Sequence, residues 1–201
     1  MEPEFNKAEL KQKLIKLPFW KQLAFLLIGC QRLLPSFRAF ATETGFQGHS
    51  QLSGLLGKAW NSLLNDVSST DFSREVTLAE SLAPDTEDFD TVLVSSALDA
   101  AIATSLLMKA FSDQQTDTII EAVSLIRDSV DMYVQELEDM NSSDPELEEN
   151  ILGHELMQKE LRRQREDLEF LGSLDDDISV SMTAVRKKWF DTEDSCLALT
   201  Q

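Results

Sequence analysis

Apolar residues recur along this chain at spacings of three and four, with no persuasive run of strand-like alternation, so the pattern predicts helices from end to end. Asn6 followed three residues later by Glu9 has the form of a capping box. Leu10, Leu14 and Leu17 then continue at helical spacing, which predicts an amphipathic helix over about 6–17. Pro18 suits the first turn of a second helix. Trp20, Leu23, Ala24, Leu27 and Ile28 form one face of it, and Phe25 and Leu26 cover another. A helix apolar nearly all round belongs in the middle of a fold. Pro35 is expected to stop it and to start a short third helix carrying Phe37, Phe40 and Ala41, capped by Gly45.

His49 or Ser50 is expected to cap the next helix, with Leu52, Leu55, Leu56, Ala59, Trp60 and Leu63 as its buried stripe. A shorter helix is expected near 72–83, ended by Pro84. Asp88 or Asp90 is placed to cap a helix over about 90–112 whose middle is rich in alanine, serine and threonine. Small side chains let neighbouring helices approach closely, which again suggests a central position. From Thr116 or Thr118, Ile119, Val123, Ile126, Val130, Tyr133 and Leu137 alternate by four and three, a bundle-facing seam. Asp144-Pro145 is expected to open one long helix ending at Gly172, with Leu147, Ile151, Leu161 and Leu168 on one side and a dense charged face on the other. Ile178, Met182, Val185 and Trp189 mark a final helix with Arg186, Lys187 and Lys188 in its last turns, where cations suit the dipole. The expectation is one all-α domain of seven or eight helices over 1–190, followed by a disordered tail at 191–201.

Charge narrows the choice of partners. The 201-residue chain carries a formal net charge of −18. Nucleic acid needs basic residues to neutralise phosphates, and an anionic membrane surface makes a similar demand, so neither is expected. The charge is uneven: residues 1–60 hold eight Lys/Arg against four Asp/Glu, and the rest holds ten against thirty-two. A basic opening helix beside an acidic body can dock on its own chain or on a second copy. Two cysteines, Cys30 and Cys196, make no disulfide framework, and reduced thiols in the cytoplasm are the default. Leu27-Ile28-Gly29-Cys30 has the form of a lipoprotein cleavage box, but its apolar run, Leu23 to Ile28, is too short for a signal core. No stretch is read as approaching the ~20 apolar residues of a membrane span.

Several segments, taken in order, resemble the YjaG family, small bacterial proteins of unassigned function. They are LPFWKQLAF from Leu17, CQRLLPSFRAFATETGF from Cys30, the tryptophan-bearing helix around Trp60, DFD at 88–90 and the SSALDAAIATSLL helix that follows. The likeness covers most of residues 10–172 and leaves out the charged run KELRRQRED. It implies an all-helical cytoplasmic protein and carries no catalytic motif to transfer.

Among candidate chemistry, Asp99 stands out, because Val92, Ser96, Ala103, Leu106 and Ala110 place it on an apolar or small face. A carboxylate there is costly unless paired. It is read either as structural, in an ion pair or helix-packing hydrogen bond with Arg32 or Arg38, or as an acid with a raised pKa in a pocket lined by Trp20, Phe37, Phe40 and Trp60. The residue pattern favours the structural reading. The run Asp85, Glu87, Asp88 and Asp90 lacks the spacing of a calcium loop and reads as capping and turn formation. His154-Glu155-Leu156-Met157-Gln158 lacks the second histidine of a zinc protease, so His154 is expected to be a helix-packing side chain. Cys30 reads as a buried inert thiol. No cofactor, metal or catalytic residue is expected. The expected function is non-catalytic contact with another protein or a second copy. A small-molecule-binding or enzymatic bundle around Asp99 is the alternative.

Overall fold

A computed structural model of the protein describes residues 6–65, 71–189 and 197. Among them the chain forms nine α-helices: α1 (Lys7–Leu14), α2 (Phe19–Thr44), α3 (His49–Leu64), α4 (Ser73–Ser81), α5 (Val94–Asp113), α6 (Thr116–Leu137), α7 (Leu147–Gly153), α8 (Glu155–Ser173) and α9 (Ile178–Trp189). A single 3-10 turn, Thr86–Asp88, precedes α5. The architecture is all-α, as the periodicities predict, with nine helices among the described residues where seven or eight were expected. The expected tail falls outside the described residues except for Leu197, whose side chain is buried.

The capping signals at the chain's start work as read. Asn6 Oδ1 accepts from Glu9 N at 3.0 Å, and α1 is basic but docked, with Lys11 paired to Asp117 at the start of α6. The second helix departs from expectation: α2 runs through Pro35 for 26 residues without stopping. A mid-helix proline costs ~3 kcal/mol or more. Beyond it, however, Phe37 and Phe40 are wholly buried, and each such side chain is worth about 1.5–3 kcal/mol. Their burial requires the helical direction to be kept, so packing outweighs the local penalty. Gly45, at φ 76°, then ends the helix in the left-handed conformation that glycine adopts without strain.

α2 is the central element. α5 and α6 pack on it and on each other, α3 and α8 flank it, and α4 covers α5. Gly29 lets α6 come close, since a Cβ there would overlap Cδ1 of Ile126. By length and composition α2 and α5 could each cross a bilayer, a correction to the sequence reading, and 72% of each apolar window is buried within the bundle.

The expected long helix from Pro145 to Gly172 is in fact two. Gly153 weakens the helix, and His154 turns extended at ψ 141°, so that its Nδ1 accepts from Leu156 N and caps α8. His154 is therefore a helix cap rather than a packing residue. Likewise α5 starts at Val94, not near residue 90. Neither Asp88 nor Asp90 caps α5, whose N-cap position is Leu93 without a side-chain cap; Asp85 caps the 3-10 turn by accepting from Glu87 N, and Thr91 Oγ1 accepts from Leu93 N. Gly48, rather than His49 or Ser50, occupies the N-cap of α3.

A candidate contact cleft between α5 and α6

Asp99 has neither a hydrogen bond nor an ion pair among the described residues. The expected partner Arg32 is engaged elsewhere. Its Nη1 donates to Asp167 Oδ2 at 2.6 Å and its Nη2 to Glu160 Oε1 at 2.9 Å, while Gln164 Nε2 donates to the same Glu160 oxygen. All four side chains are buried between α2 and α8. Burial opposes the charge on Arg32, but the two carboxylates more than offset it and push its pKa further up. The ion-pair reading of Asp99 is thus corrected, and its intended partner locks α8 onto α2 instead.

What surrounds Asp99 is acidic. It is half-buried on α5, and burial, reinforced by the carboxylate of Asp128 on α6, pushes its pKa up to about 7. Ser95 lies one turn before Asp99 on the same face of α5, as Asp128, Met132 and Glu136 follow one another on α6. Ser95, Met132 and Glu136 line an open cleft of about 290 Å³ together with Phe89, Asp90, Thr91, Val92 and Val94. Asp99 and Asp128 therefore continue the two walls of this cleft by one helical turn. Val92 and Met132 stand at 42% and 48% exposure, two of the six large apolar side chains exposed among the described residues, with Ile15, Leu78, Leu137 and Val180.

The aromatic residues named with Asp99 are distributed over three places. Phe37 and Phe40 stack edge-on within a ring cluster that reaches Phe89, the Phe40–Phe89 centroids being 5.0 Å apart. They are fully buried, so they stand behind the cleft's aromatic wall and fix its position. Trp20 Nε1 donates to the carbonyl of Asp176, beside Lys21, whose Nζ reaches Leu174 O and Asp176 Oδ1 at 2.7 Å each. Trp60 Nε1 donates to Gln31 Oε1. These two tryptophans hold helices and connections in place away from the cleft. Cys30 is buried in the middle of α2, and burial pushes its thiol pKa well up, away from the reactive thiolate.

Sequence reasoning passed over Phe89, Met132 and Glu136, and read Asp90 as a cap and Val92 as part of the face around Asp99. A signal was present. The stretch between Arg74 and Lys109 holds seven Asp/Glu and no Lys or Arg, and the stretch between Arg127 and Lys159 holds ten and none. The cleft is where those two stretches meet.

Comparison with known proteins returns a consistent likeness. The family described as "Protein of unknown function (DUF416)" matches residues 9–200. The chain is 27% identical to "Uncharacterized protein YjaG" of Escherichia coli over 69% of this chain and 71% of that protein. It is 25% identical to the protein of the same description from Salmonella typhimurium, over 59% of each. A crystal structure of a DUF416 family protein from Shewanella baltica superposes with a TM-score of 0.84, covering 95% of this chain and 98% of that one at 24% identity, which speaks to the fold.

Proposed function

We propose that this chain, which belongs to the family described as Protein of unknown function (DUF416), is a non-catalytic protein that works by contact with another protein through the α5–α6 cleft. The observation that carries this reading is that two exposed apolar side chains, Val92 and Met132, line the same open cleft, where a partner would bury them together. Cytoplasmic residence is part of the proposal, supported by the buried free thiol of Cys30. Self-association is the other form that such contact takes.

One observation favours a second reading, a small-molecule or enzymatic site. Asp99 carries a raised pKa beside the cleft, as an acid or ligand-orienting group would. Against this, the cleft is open, and Phe37, Phe40, Trp20 and Trp60 do not enclose it.

A photo-cross-linking residue placed at Met132 in bacterial cells tests the contact reading. The control is Glu121, exposed on the same helix and roughly 16 Å away along its axis. The expected result is a discrete adduct from position 132 that is absent from 121. No adduct, or the same adducts from both positions, contradicts the contact reading. A metabolite-induced thermal shift lost in Asp99→Asn would favour the second reading.

A further inference from the structure

The cleft combines three chemistries. Phe89 presents an aromatic ring, Val92, Val94 and Met132 present aliphatic surface, and Asp90 and Glu136 present exposed carboxylates. One common group matches all three at once: a basic side chain with an aliphatic stem. The stem covers apolar surface while the cationic head stays with the carboxylates, and the ring face attracts the same cation. At about 290 Å³ the cleft lies at the small end of the range for ligand pockets, which suits a side chain better than a nucleotide or a large cofactor.

Resting on the contact reading above, we infer that the cleft receives a lysine or arginine side chain presented by a basic amphipathic segment of another protein. The apolar residues of that segment cover Val92 and Met132. The charge pattern supports this choice of occupant. The two chain stretches without any Lys or Arg converge here, so an approaching cation meets carboxylates on both walls and no competing cation from those stretches. Beyond the lining residues, Asp128, which Arg127 meets at 3.2 Å, still disfavours the charged form of Asp99 at the next helical turn, and a further cation nearby would favour it.

A second copy fits less well. Each copy carries −18, so two copies repel at long range. The chain's own basic helix α1 is also engaged: Lys11 pairs with Asp117, and Lys13 with Glu9. Anionic partners meet the same field with the wrong sign.

The test uses the full-length protein and a fluorescein-labelled amphipathic peptide built only of leucine and lysine, followed by fluorescence anisotropy at near-physiological salt. Saturable one-to-one binding is expected. The double substitution Asp90→Asn/Glu136→Gln should raise Kd at least tenfold. Glu121→Gln/Glu169→Gln, which removes the same charge from exposed positions elsewhere, should change it less than twofold. Free spermidine at matched charge should not displace the peptide. Equal losses in both double variants would overturn the proposal, since they would mean a diffuse field rather than a site. Equal binding of a leucine–glutamate peptide, or full displacement by spermidine, would also overturn it. So would a concentration-dependent dimer abolished by Asp90→Asn/Glu136→Gln, because the occupant would then be a second copy. Adducts from position 132 without peptide binding would refute the cationic partner and leave the contact reading standing. Absence of both would refute the two together.

Discussion

At the α2–α8 contact, Arg32 is held out of water between Glu160 and Asp167, with Gln164 completing the group. At the α5–α6 cleft, Asp99, Asp128, Asp90 and Glu136 gather, and among the described residues the cation that meets them is Arg127 of α6, in contact with Asp128 at 3.2 Å. Both regions place charge on helices of one bundle. In the first, opposite charges meet inside the chain, and the cluster's consequence is mechanical: α8 stays on α2. In the second, like charges accumulate beside exposed apolar side chains, an arrangement that does nothing for the isolated chain's stability. The contrast separates charge that builds the fold from charge whose complement, on the proposed contact reading, lies outside it.

The largest effect should come from breaking the first region. Arg32→Met leaves two buried carboxylates facing each other without their cation, and removing one partner of a buried pair costs about 3–5 kcal/mol. For a chain of this size that lowers the thermal midpoint by on the order of 10 °C. Calorimetry checks it, and an unchanged midpoint would mean that the cluster does not hold α8.

A smaller loss is expected at Lys21, which is buried beneath the α8–α9 connection and donates to Leu174 O and Asp176 Oδ1. Lys21→Met removes two hydrogen bonds from a charged donor, each worth about 1.5–3 kcal/mol when fully buried and less here, where Asp176 is exposed. Urea unfolding should show the loss, together with faster amide exchange in residues 174–189.

At the cleft the sign reverses. The pKa of Asp99 is raised from 3.8 to about 7. Between those pH values the folded chain keeps the proton and the unfolded chain has released it. This group's contribution to stability is therefore complete below pH 3.8, declines as the pH rises, and is gone above about 7. Asp99→Asn, neutral at every pH, should match the wild type in acid and exceed its stability at pH 8. Urea titrations at both values decide it. Equal stability at pH 8 would mean that Asp99 has a compensating partner.

How much of this the sequence disclosed differs between the two regions. Helix identity was legible because apolar spacing is local: α1, α4 and α6 lie close to their expected positions. Pro35 misled because its penalty is local, whereas the burial of Phe37 and Phe40 that overrides it is tertiary. The run KELRRQRED read as part of a dense charged face. Yet Glu160, Gln164 and Asp167, spaced by four and three, turn inward to a cation 128 and 135 residues away, and no local rule reveals such a partner. Asp99 was legible as a misplaced carboxylate, but its neighbour Asp128 was not, since that juxtaposition depends on how α5 lies against α6. The cleft itself was half visible, in two long stretches without a single basic residue.

If the cleft end receives the proposed basic partner while the α2–α8 cluster serves the fold, ligand binding should touch one region and spare the other. Hydrogen-exchange mass spectrometry of the full chain with and without the leucine–lysine peptide reads both regions at once. The expected result is added protection confined to residues 86–99 and 128–139, with 155–173 unchanged. Protection spread evenly over the chain, or centred on 155–173, would contradict it.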